Sequence, residues 1–181
     1  MATKGNEFFS WMRTIILAVI IAFIIRAFLF SNYIVDGESM LPTMHNGDRL
    51  ILNKLVYKLY EPERFDLIVF HTNSNADYIK RVIGLPGDHI EYKNDVLYIN
   101  GEPYDEPFLD ELRKNGEQLT HDFTLQQIIG KDKVPENTVF VLGDNRRHST
   151  DSRQLGVIPY DQIVGEVNVK YWPFSDFEIF H

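Results

Sequence analysis

The chain contains one long apolar run, followed by shorter apolar runs that polar turns separate. Residues 14–30 read TIILAVIIAFIIRAFLF, in which Arg26 is the only charge. This length lies at the lower edge of the roughly 17 to 25 residues that a helix needs to cross a bilayer. A buried helix of a soluble core is the alternative, but such a helix rarely lacks a polar face. The pattern therefore predicts a transmembrane helix over residues 14–32.

The charges on either side of this segment predict its orientation. Lys4 and Arg13 precede it, whereas Asp36 and Glu38 follow it. Because cationic flanks stay in the cytoplasm, residues 1–13 are expected inside the cell and residues 33–181 outside it.

The segment is also expected to remain attached to the protein. A cleaved leader needs small residues one and three positions before the cut. Ala27 is followed two residues later by Leu29, and Ser31 by Tyr33, so neither pair qualifies. The sequence predicts a single-pass anchor in the cell membrane, with the lipid bilayer as a partner.

Beyond the anchor, the apolar runs are short enough for strands. They read DRLILNKLVY, FDLIVFH, DYIKRVIGLPGD, HIEYKNDVLYINGE, NTVFVLGDN and IVGEVNVKYWPF. Turn pairs such as Asn46-Gly47 and Asn100-Gly101 separate them, which is typical of an antiparallel β domain. Residues 102–137 are more polar and are interpreted as a small insertion between strands.

Composition narrows the class of protein. The 181 residues are 44% hydrophobic, enough for one folded domain, and include no cysteine, which excludes disulfides and a thiolate nucleophile. Lys and Arg number 18 against 26 Asp and Glu. This acidic balance disfavours nucleic acid as a partner.

Ser39, in the stretch GESMLPT, is a candidate nucleophile that needs a base. The histidines are scattered, and only His148 lies between nearby carboxylates, those of Asp144 and Asp151. A metal site at these three residues is disfavoured because arginines surround them.

Lys80 is the stronger candidate for the base. In the run DYIKRVIG, Lys80 and Arg81 lie on opposite faces of a mostly apolar strand, so one of the two cations can be drawn into the interior. A desolvated lysine has a lowered pKa and can accept a proton, whereas arginine stays charged. The alternative is that both are solvated charges at a strand edge.

A third stretch, GDNRRHSTDSR at residues 143–153, is rich in turn formers, acids and arginines. Its simplest interpretation is a structural corner held by ion pairs. A functional interpretation is that Ser149 hydrogen-bonds the amine of Lys80, while Asp151 and Arg153 brace the loop.

Four stretches in this order resemble the sequence boxes of bacterial type I signal peptidases. They are GESMLPT, GDRLILNK, YIKRVIGLPGD and GDNRRHSTDSR, which follow the apolar run. The resemblance covers residues 8–173 and is to the short Gram-positive type with one N-terminal anchor. It implies an antiparallel β domain of two coiled sheets, a fold shared with self-cleaving repressors. It also implies a membrane-bound serine endopeptidase that removes signal peptides from secretory preproteins without a cofactor or metal.

The resemblance also implies roles for individual residues. Ser39 matches the nucleophile, Lys80 the general base, Ser149 the serine that orients the lysine, and Asp144, Asp151 and Arg153 the structural acids and arginine of the last box. Val35, Asp77 and Ile79 match positions near pockets that accept small side chains one and three residues before the cut.

The oxyanion site departs from part of the family. The Ser39 N–H matches one donor, but Gly37 stands where some members carry a second donor, a serine hydroxyl. A backbone group or water is expected to take its place, so that Gly37 and the Ser39 N–H hold the oxyanion.

Other classes of protein give different readings of the same features. A membrane-anchored β domain that binds peptides without cutting them would use Ser39 only as a turn residue. A self-cleaving repressor would need a DNA-binding module and an Ala-Gly or Cys-Gly cut site, and this chain has neither dipeptide. Eukaryotic reticulum enzymes of the family carry histidine at the position of Lys80, which argues against that origin. An organellar origin is left as an alternative.

Overall fold

The computed structural model describes residues 4–72, 76–114 and 116–180, without side chains for residues 4–8 and 24–30. The chain begins with helix α1 (Lys4–Leu29). Between residues 9 and 23 its side chains are exposed on every side, including Trp11, Ile16 and Phe23. Among the described residues, no helix combines the length and the apolar character that crossing a membrane requires. The predicted span 14–32 thus lies partly outside the described side chains, and its last residues belong to a strand rather than to α1.

The rest of the described chain is mainly β structure. The strands are β1 (Phe30–Ile34), β2 (Arg49–Asn53), β3 (Leu67–His71), β4 (Asp77–Gly84), β5 (Ile90–Lys93), β6 (Val96–Ile99), β7 (Glu102–Tyr104), β8 (Phe123–Thr124), β9 (Thr138–Leu142), β10 (Ile158–Pro159), β11 (Ile163–Trp172) and β12 (Glu178–Ile179). The short helices are α2 (Val56–Leu59), α3 (Asp110–Arg113), α4 (Leu125–Ile129) and α5 (Ser152–Leu155), and 3-10 turns cover Pro107–Leu109, Tyr160–Gln162 and Phe174–Asp176.

The strands form two antiparallel sheets within the described residues, as the sequence predicts. The main sheet has the order β1-β2-β11-β3-β4-β9-β10, and β12 pairs with β11. The small sheet has the order β7-β6-β5-β8. Every pairing is antiparallel.

Strand β3 shows why its sequence lacks alternation. Leu67 and Val69 pack in one buried cluster, whereas Ile68 and Phe70 pack in another. Because both faces of the strand are covered, every position except the last is apolar and buried. The central strands of the main sheet therefore have little freedom to move relative to each other.

The small sheet shares a hydrophobic core with the main sheet. Ile83 and Phe140 from the main sheet pack with Ile90 and Leu97 from the small one. The small sheet starts before the predicted insertion at 102–137, because β5 and β6 form half of it. The insertion is thus one part of a larger unit that is anchored on the main sheet.

Candidate active site

Ser39 lies in the loop between β1 and β2. Met40 and Met44, which follow it, are fully buried and fasten the loop to the core. From the other side, the Asn145 N–H donates to the Ser39 carbonyl oxygen at 3.0 Å, and the Asn145 side-chain amide donates to the Glu38 carbonyl oxygen at 3.0 Å. The backbone on both sides of the Ser39 side chain is therefore fixed.

Lys80 lies in β4 and reaches Ser39 across the site. Its Nζ lies 2.8 Å from Ser39 Oγ and 2.8 Å from the Ile79 carbonyl oxygen, and only 3% of the residue is exposed. Burial lowers the pKa of Lys80 to about 8, although the carboxylates of Asp151 and Asp144 oppose that change. At mildly alkaline pH a large part of the Lys80 amine is therefore neutral.

Arg81, the neighbour of Lys80, is also buried but has another function. Its guanidinium binds both carboxylate oxygens of Asp144, at 2.9 and 2.6 Å, and the Thr43 hydroxyl donates to the same carboxylate at 2.6 Å. The sequence predicted that one of the two cations would be buried, and the structure buries both. The two side chains lie on opposite faces of β4, where Lys80 contacts the Ser39 hydroxyl and Arg81 contacts the Asp144 carboxylate.

Asp151 and Arg153 brace the loop of residues 143–153. The Asp151 carboxylate accepts two hydrogen bonds from the Arg153 guanidinium at 2.8 Å and one from the Gly143 N–H at 3.1 Å. Asp151 also caps the N-terminus of α5, with Gln154 completing a capping box. The geometry matches the bracing expected of these two residues.

Ser149 lies beside the pair without the hydrogen bond expected of it. Its Oγ is buried and has no hydrogen-bond partner among the described residues. A Cβ placed on Gly143 would lie 2.2 Å from this oxygen and 2.5 Å from the Ser39 carbonyl oxygen, so Ser149 is close to the nucleophile loop. The Lys80 Nζ contacts are Ser39 Oγ and the Ile79 carbonyl oxygen, and the expected hydrogen bond between Lys80 and Ser149 is not formed.

Gly37 cannot supply the second oxyanion donor through its N–H. That N–H donates to the side-chain oxygen of Asn46 at 3.1 Å, and the φ of Gly37 is +110°. The Ser39 N–H, in contrast, has no acceptor within the described part of the chain. It is the backbone donor available at the nucleophile.

A cleft of about 500 Å³ leads to the Ser39–Lys80 pair. Val35, Asp77 and Ile79 all line it, as the sequence comparison with the family implies. Tyr33 lines it too and was not anticipated: its hydroxyl donates to Asp77 at 2.8 Å and joins the two walls.

The Asp77 carboxylate at the cleft is held in its charged form. Burial alone would raise the pKa of Asp77, but hydrogen bonds from Tyr33 and His71 outweigh burial and lower it. The cleft thus keeps a negative charge at the N-terminal end of β4.

Potential metal ligands converge at one place in the described residues, away from the predicted pair. His45, Asp48 and Asp176 have ligand atoms within 4.8 Å of one another. The Lys170 ammonium already lies 2.8 Å from the Asp176 carboxylate. One of the three potential ligands is therefore already paired with a cation. Asp144 and Asp151, which were weighed as ligands with His148, are each paired with an arginine.

Several residues around the site were missed by sequence reasoning. Asn145 and Arg146 stand inside the GDNRR stretch, but their spacing does not tell which backbone groups they bind. Glu106 lies in the insertion, far from every motif, and contacts Arg146. Only their convergence in three dimensions identifies them.

Known proteins with similar sequences identify the family of this chain. The family model described as signal peptidase, peptidase S26, matches residues 8–172. The chain is 52% identical over 162 residues to a signal peptidase I of Bacillus caldolyticus, covering 88% of this chain and 89% of that protein. It is 43% identical over 179 residues to a signal peptidase IB of Staphylococcus aureus, covering 96% and 94%.

A solved structure extends the agreement to the fold. The crystal structure of a signal peptidase I from Enterococcus faecalis is 42% identical to this chain and superimposes with a TM-score of 0.56, covering 59% of this chain and 97% of that one. The family match and the two sequence relatives each span most of the chain. The chain therefore belongs to the type I signal peptidases of peptidase family S26.

Proposed function

We propose that this enzyme is a membrane-bound serine endopeptidase that removes signal peptides from exported preproteins after small-x-small sites, with Ser39 and Lys80 as a catalytic dyad. The observation that carries the proposal is the 2.8 Å contact between Lys80 Nζ and Ser39 Oγ, made by a lysine that is almost fully buried. Burial provides the neutral amine that a serine nucleophile needs.

The chemistry follows from this geometry. The neutral Lys80 amine takes the Ser39 proton as Oγ attacks the carbonyl carbon of the scissile bond, and the Ser39 N–H stabilises the oxyanion. The resulting Lys80 ammonium protonates the leaving amine, which frees the mature chain and leaves an acyl-enzyme. Lys80 then deprotonates a water that hydrolyses the ester and regenerates Ser39.

The cleft accounts for the proposed specificity. An extended substrate fits between the strand leading to Ser39 and residues 77–80 of β4, with backbone hydrogen bonds to either wall. Val35 is buried and Ile79 half-buried where the cleft approaches the dyad. Apolar walls close to the nucleophile leave room for small side chains and exclude large ones.

The described half of α1 supports attachment to a bilayer. Residues 15–23 are all apolar and all exposed, around the whole circumference of the helix, without a polar face that would suit water. The cationic N-terminal flank favours a cytoplasmic N-terminus, which would put residues 33–181 on the outer side. This arrangement would hold the cleft where exported preproteins present their cut sites.

The test uses the full chain in detergent micelles and a precursor that carries Ala-x-Ala before its mature start. Mass spectrometry is expected to show one cut after the second alanine. Ser39→Ala should abolish the cut, and a precursor with leucine in place of that alanine should stay intact. Cleavage by Ser39→Ala would refute the nucleophile, whereas equal cleavage of the leucine precursor would refute the small pocket. If the precursor binds both the unchanged protein and Ser39→Ala and neither of them cuts it, the result would favour a peptide-binding domain without catalytic activity.

A further inference from the structure

Arg146 is a buried cation that the proposed chemistry does not use. Neither its side chain nor that of Glu106 is exposed, and the two lie 2.5 Å apart. The Arg146 guanidinium also donates to the Tyr92 hydroxyl at 2.6 Å and to the Thr120 hydroxyl at 3.3 Å. These three partners all come from the unit that carries the small sheet. That unit therefore provides a polar socket, formed by Glu106, Tyr92 and Thr120, for Arg146 of the loop at residues 143–153.

The guanidinium also makes a contact in the opposite direction. Its Nε donates to the Gly143 carbonyl oxygen at 3.0 Å. Gly143 and Arg146 are the first and last residues of one turn, residues 143–146. The Arg146 N–H donates to the Asp144 carbonyl oxygen at 2.9 Å. The arginine thus connects the small sheet to the backbone of residues 143–146.

This turn forms one wall against the nucleophile loop. A Cβ on Gly143 would come within 2.5 Å of the Ser39 carbonyl oxygen, which shows how closely the two backbones approach. Asn145, two residues after Gly143, donates hydrogen bonds to the carbonyl oxygens of Ser39 and Glu38. A shift of the turn would therefore shift Ser39 relative to Lys80, which lies on a separate strand.

Stability alone does not explain why the socket is ionic. A buried ion pair costs desolvation free energy, and well-packed apolar residues of similar volume often stabilise a fold as well or better. Glu106 is also bound by Arg113 at 3.1 Å, so its charge would be met even without Arg146. What an apolar replacement could not supply is the hydrogen bond to the Gly143 carbonyl oxygen.

From these contacts we infer that Arg146 is a positioning residue for Ser39, and that the small sheet, through Glu106, acts as a support for the catalytic turn. The inference rests on the proposed dyad. Its physical basis is that reaction rate depends steeply on the alignment of nucleophile and base, so that a displacement of about 1 Å can cost 100-fold. Substrate contacts in the cleft lie on other residues and should be largely unaffected.

The test is the double variant Glu106→Gln with Arg146→Met, measured on the Ala-x-Ala precursor. Both charges are removed together, so that neither is left buried without the other, and Arg113, which also binds Glu106, is partly exposed and keeps Asp110 at 3.7 Å. We expect a folded enzyme whose kcat falls at least about tenfold while KM changes less than about threefold. Circular dichroism and thermal unfolding establish the folded fraction, to which kcat is normalised.

A matched control lies in two loops outside this network, the one before β3 and the one after β4. Arg64 and Asp88 form a mostly buried pair at 2.9 Å, and Arg64 also donates to a backbone carbonyl, that of Ile83, at 2.6 Å. This pair shares no hydrogen bond with residues 143–146 among the described contacts. Arg64→Met with Asp88→Asn should lower stability similarly but leave kcat within about twofold of the unchanged enzyme.

A smaller change tests the same inference if the double variant does not fold. Tyr92→Phe removes the hydroxyl that bonds both Glu106 and Arg146 but keeps the ring. It is expected to lower kcat two- to fivefold, whereas Tyr98→Phe in the neighbouring strand should not change it.

The outcomes separate the inference from the proposed function. If the unchanged enzyme does not cut the precursor, or if Ser39→Ala still cuts it, the proposed dyad is wrong. If the dyad passes that test but the double variant, or failing that Tyr92→Phe, keeps the kcat of its control, Arg146 supports only the fold and the inference is overturned. A rise in KM with an unchanged kcat would also overturn it.

Discussion

At the scale of single residues, the site depends on where each charge can be neutralised. Lys80 and Arg81 are adjacent and both buried, yet they have opposite electrostatic surroundings. Arg81 meets the Asp144 carboxylate directly and remains an ion. Lys80 meets a hydroxyl and a backbone carbonyl, neither of which carries a charge, so burial favours its neutral form. Arg81 therefore braces the loop as an ion, whereas a pKa of about 8 makes Lys80 the residue that can become neutral, as the proposed general base must.

The pH dependence of cleavage follows from this difference. Because the protonated amine of Lys80 cannot take the Ser39 proton, activity should be low below the lysine pKa and should increase as pH rises through about 8. The rate constant for a single turnover, measured between pH 6 and pH 10, would show this acid limb. An acid limb near pH 6.5, typical of histidine, would contradict the assignment.

Substitutions at position 80 and at the histidines complete that test. Lys80→Arg keeps the charge but cannot deprotonate, so it should be as inactive as Lys80→Ala. Each histidine, including His148 at the cleft, should be replaceable with less than a few-fold loss of turnover. Activity retained by Lys80→Arg, or lost in one folded histidine variant, would mean that Ser39 has another base.

Gly143→Ala should damage catalysis by displacing the nucleophile loop. The added methyl group would lie 2.2 Å from Ser149 Oγ and 2.5 Å from the Ser39 carbonyl oxygen, and the second contact is with backbone that cannot rotate away. We expect kcat to fall by about 100-fold, because small misplacements of a nucleophile are costly. Turnover numbers of the purified variant, corrected for its folded fraction, provide the check. A kcat within threefold of the unchanged enzyme would show that the loop can yield without loss of alignment.

At the scale of secondary-structure elements, the C-terminal end of β11 leaves aromatic side chains in solvent. Trp172 is 43% and Phe174 74% exposed, and their rings meet edge to face at 5.0 Å. Phe180, at the end of the chain, packs instead against the main-sheet core. By register, Trp172 pairs with Arg49 and Arg49 with Ile34, so this aromatic end lies at the end of β1 that leads into the Ser39 loop, away from α1.

These aromatic residues are expected to enter the membrane interface. The protein has a net charge of −8, so contact with anionic lipid must come from apolar groups. With Trp11→Phe, Trp172 becomes the one remaining tryptophan, since the sequence contains two. Brominated lipids in reconstituted vesicles should quench its fluorescence strongly.

The control for this experiment carries Phe174→Ser as well, which should weaken quenching by removing the neighbouring anchor. Equal access of Trp172 to an aqueous quencher with and without vesicles would show that the aromatic end stays in water.

At the scale of the whole molecule, two sheets share one core, and the site lies on the main sheet beside their junction. Gly84 lies at a close approach of the two sheets: a Cβ there would lie 2.2 Å from Ile90 Cδ1 of the small sheet and 3.1 Å from Phe140 Cβ of the main sheet. All three residues are inside the shared core, where there is little space to rearrange.

Gly84→Ala should therefore reduce stability rather than chemistry. Overpacking of this kind costs about 1 to 3 kcal/mol. We expect a lower midpoint in chemical denaturation, while kcat per folded enzyme stays within about twofold. Together with Gly143→Ala, this variant separates steric damage to the core from steric damage to the site. A large loss of kcat in folded Gly84→Ala would mean that the sheet junction also controls the dyad.

Local patterns in the sequence were enough to predict the helix at the N-terminus, the antiparallel strands and the membership of the family. Periodicity is a property of neighbouring residues, so it can be read without knowing which strands pair. The motif around Ser39 and the stretch at 143–153 likewise consist of adjacent residues. The strand pattern only allowed a buried cation at position 80 or 81, and the family resemblance made Lys80 the predicted base.

Tertiary structure decided which groups meet. Lys80 and Ser39 are 41 residues apart, and Glu106 reaches Arg146 from a segment that no motif marks. The hydrogen bond of the Gly37 N–H to Asn46, the unpartnered Ser149 Oγ and the Tyr33–Asp77 bridge also depend on contacts between separate loops and strands. Such contacts are determined by how the whole sheet folds and packs. The sequence alone determined the elements and the reactive residue types, whereas only the packing of the sheets determined their partners, because desolvation and alignment are properties of the assembled site.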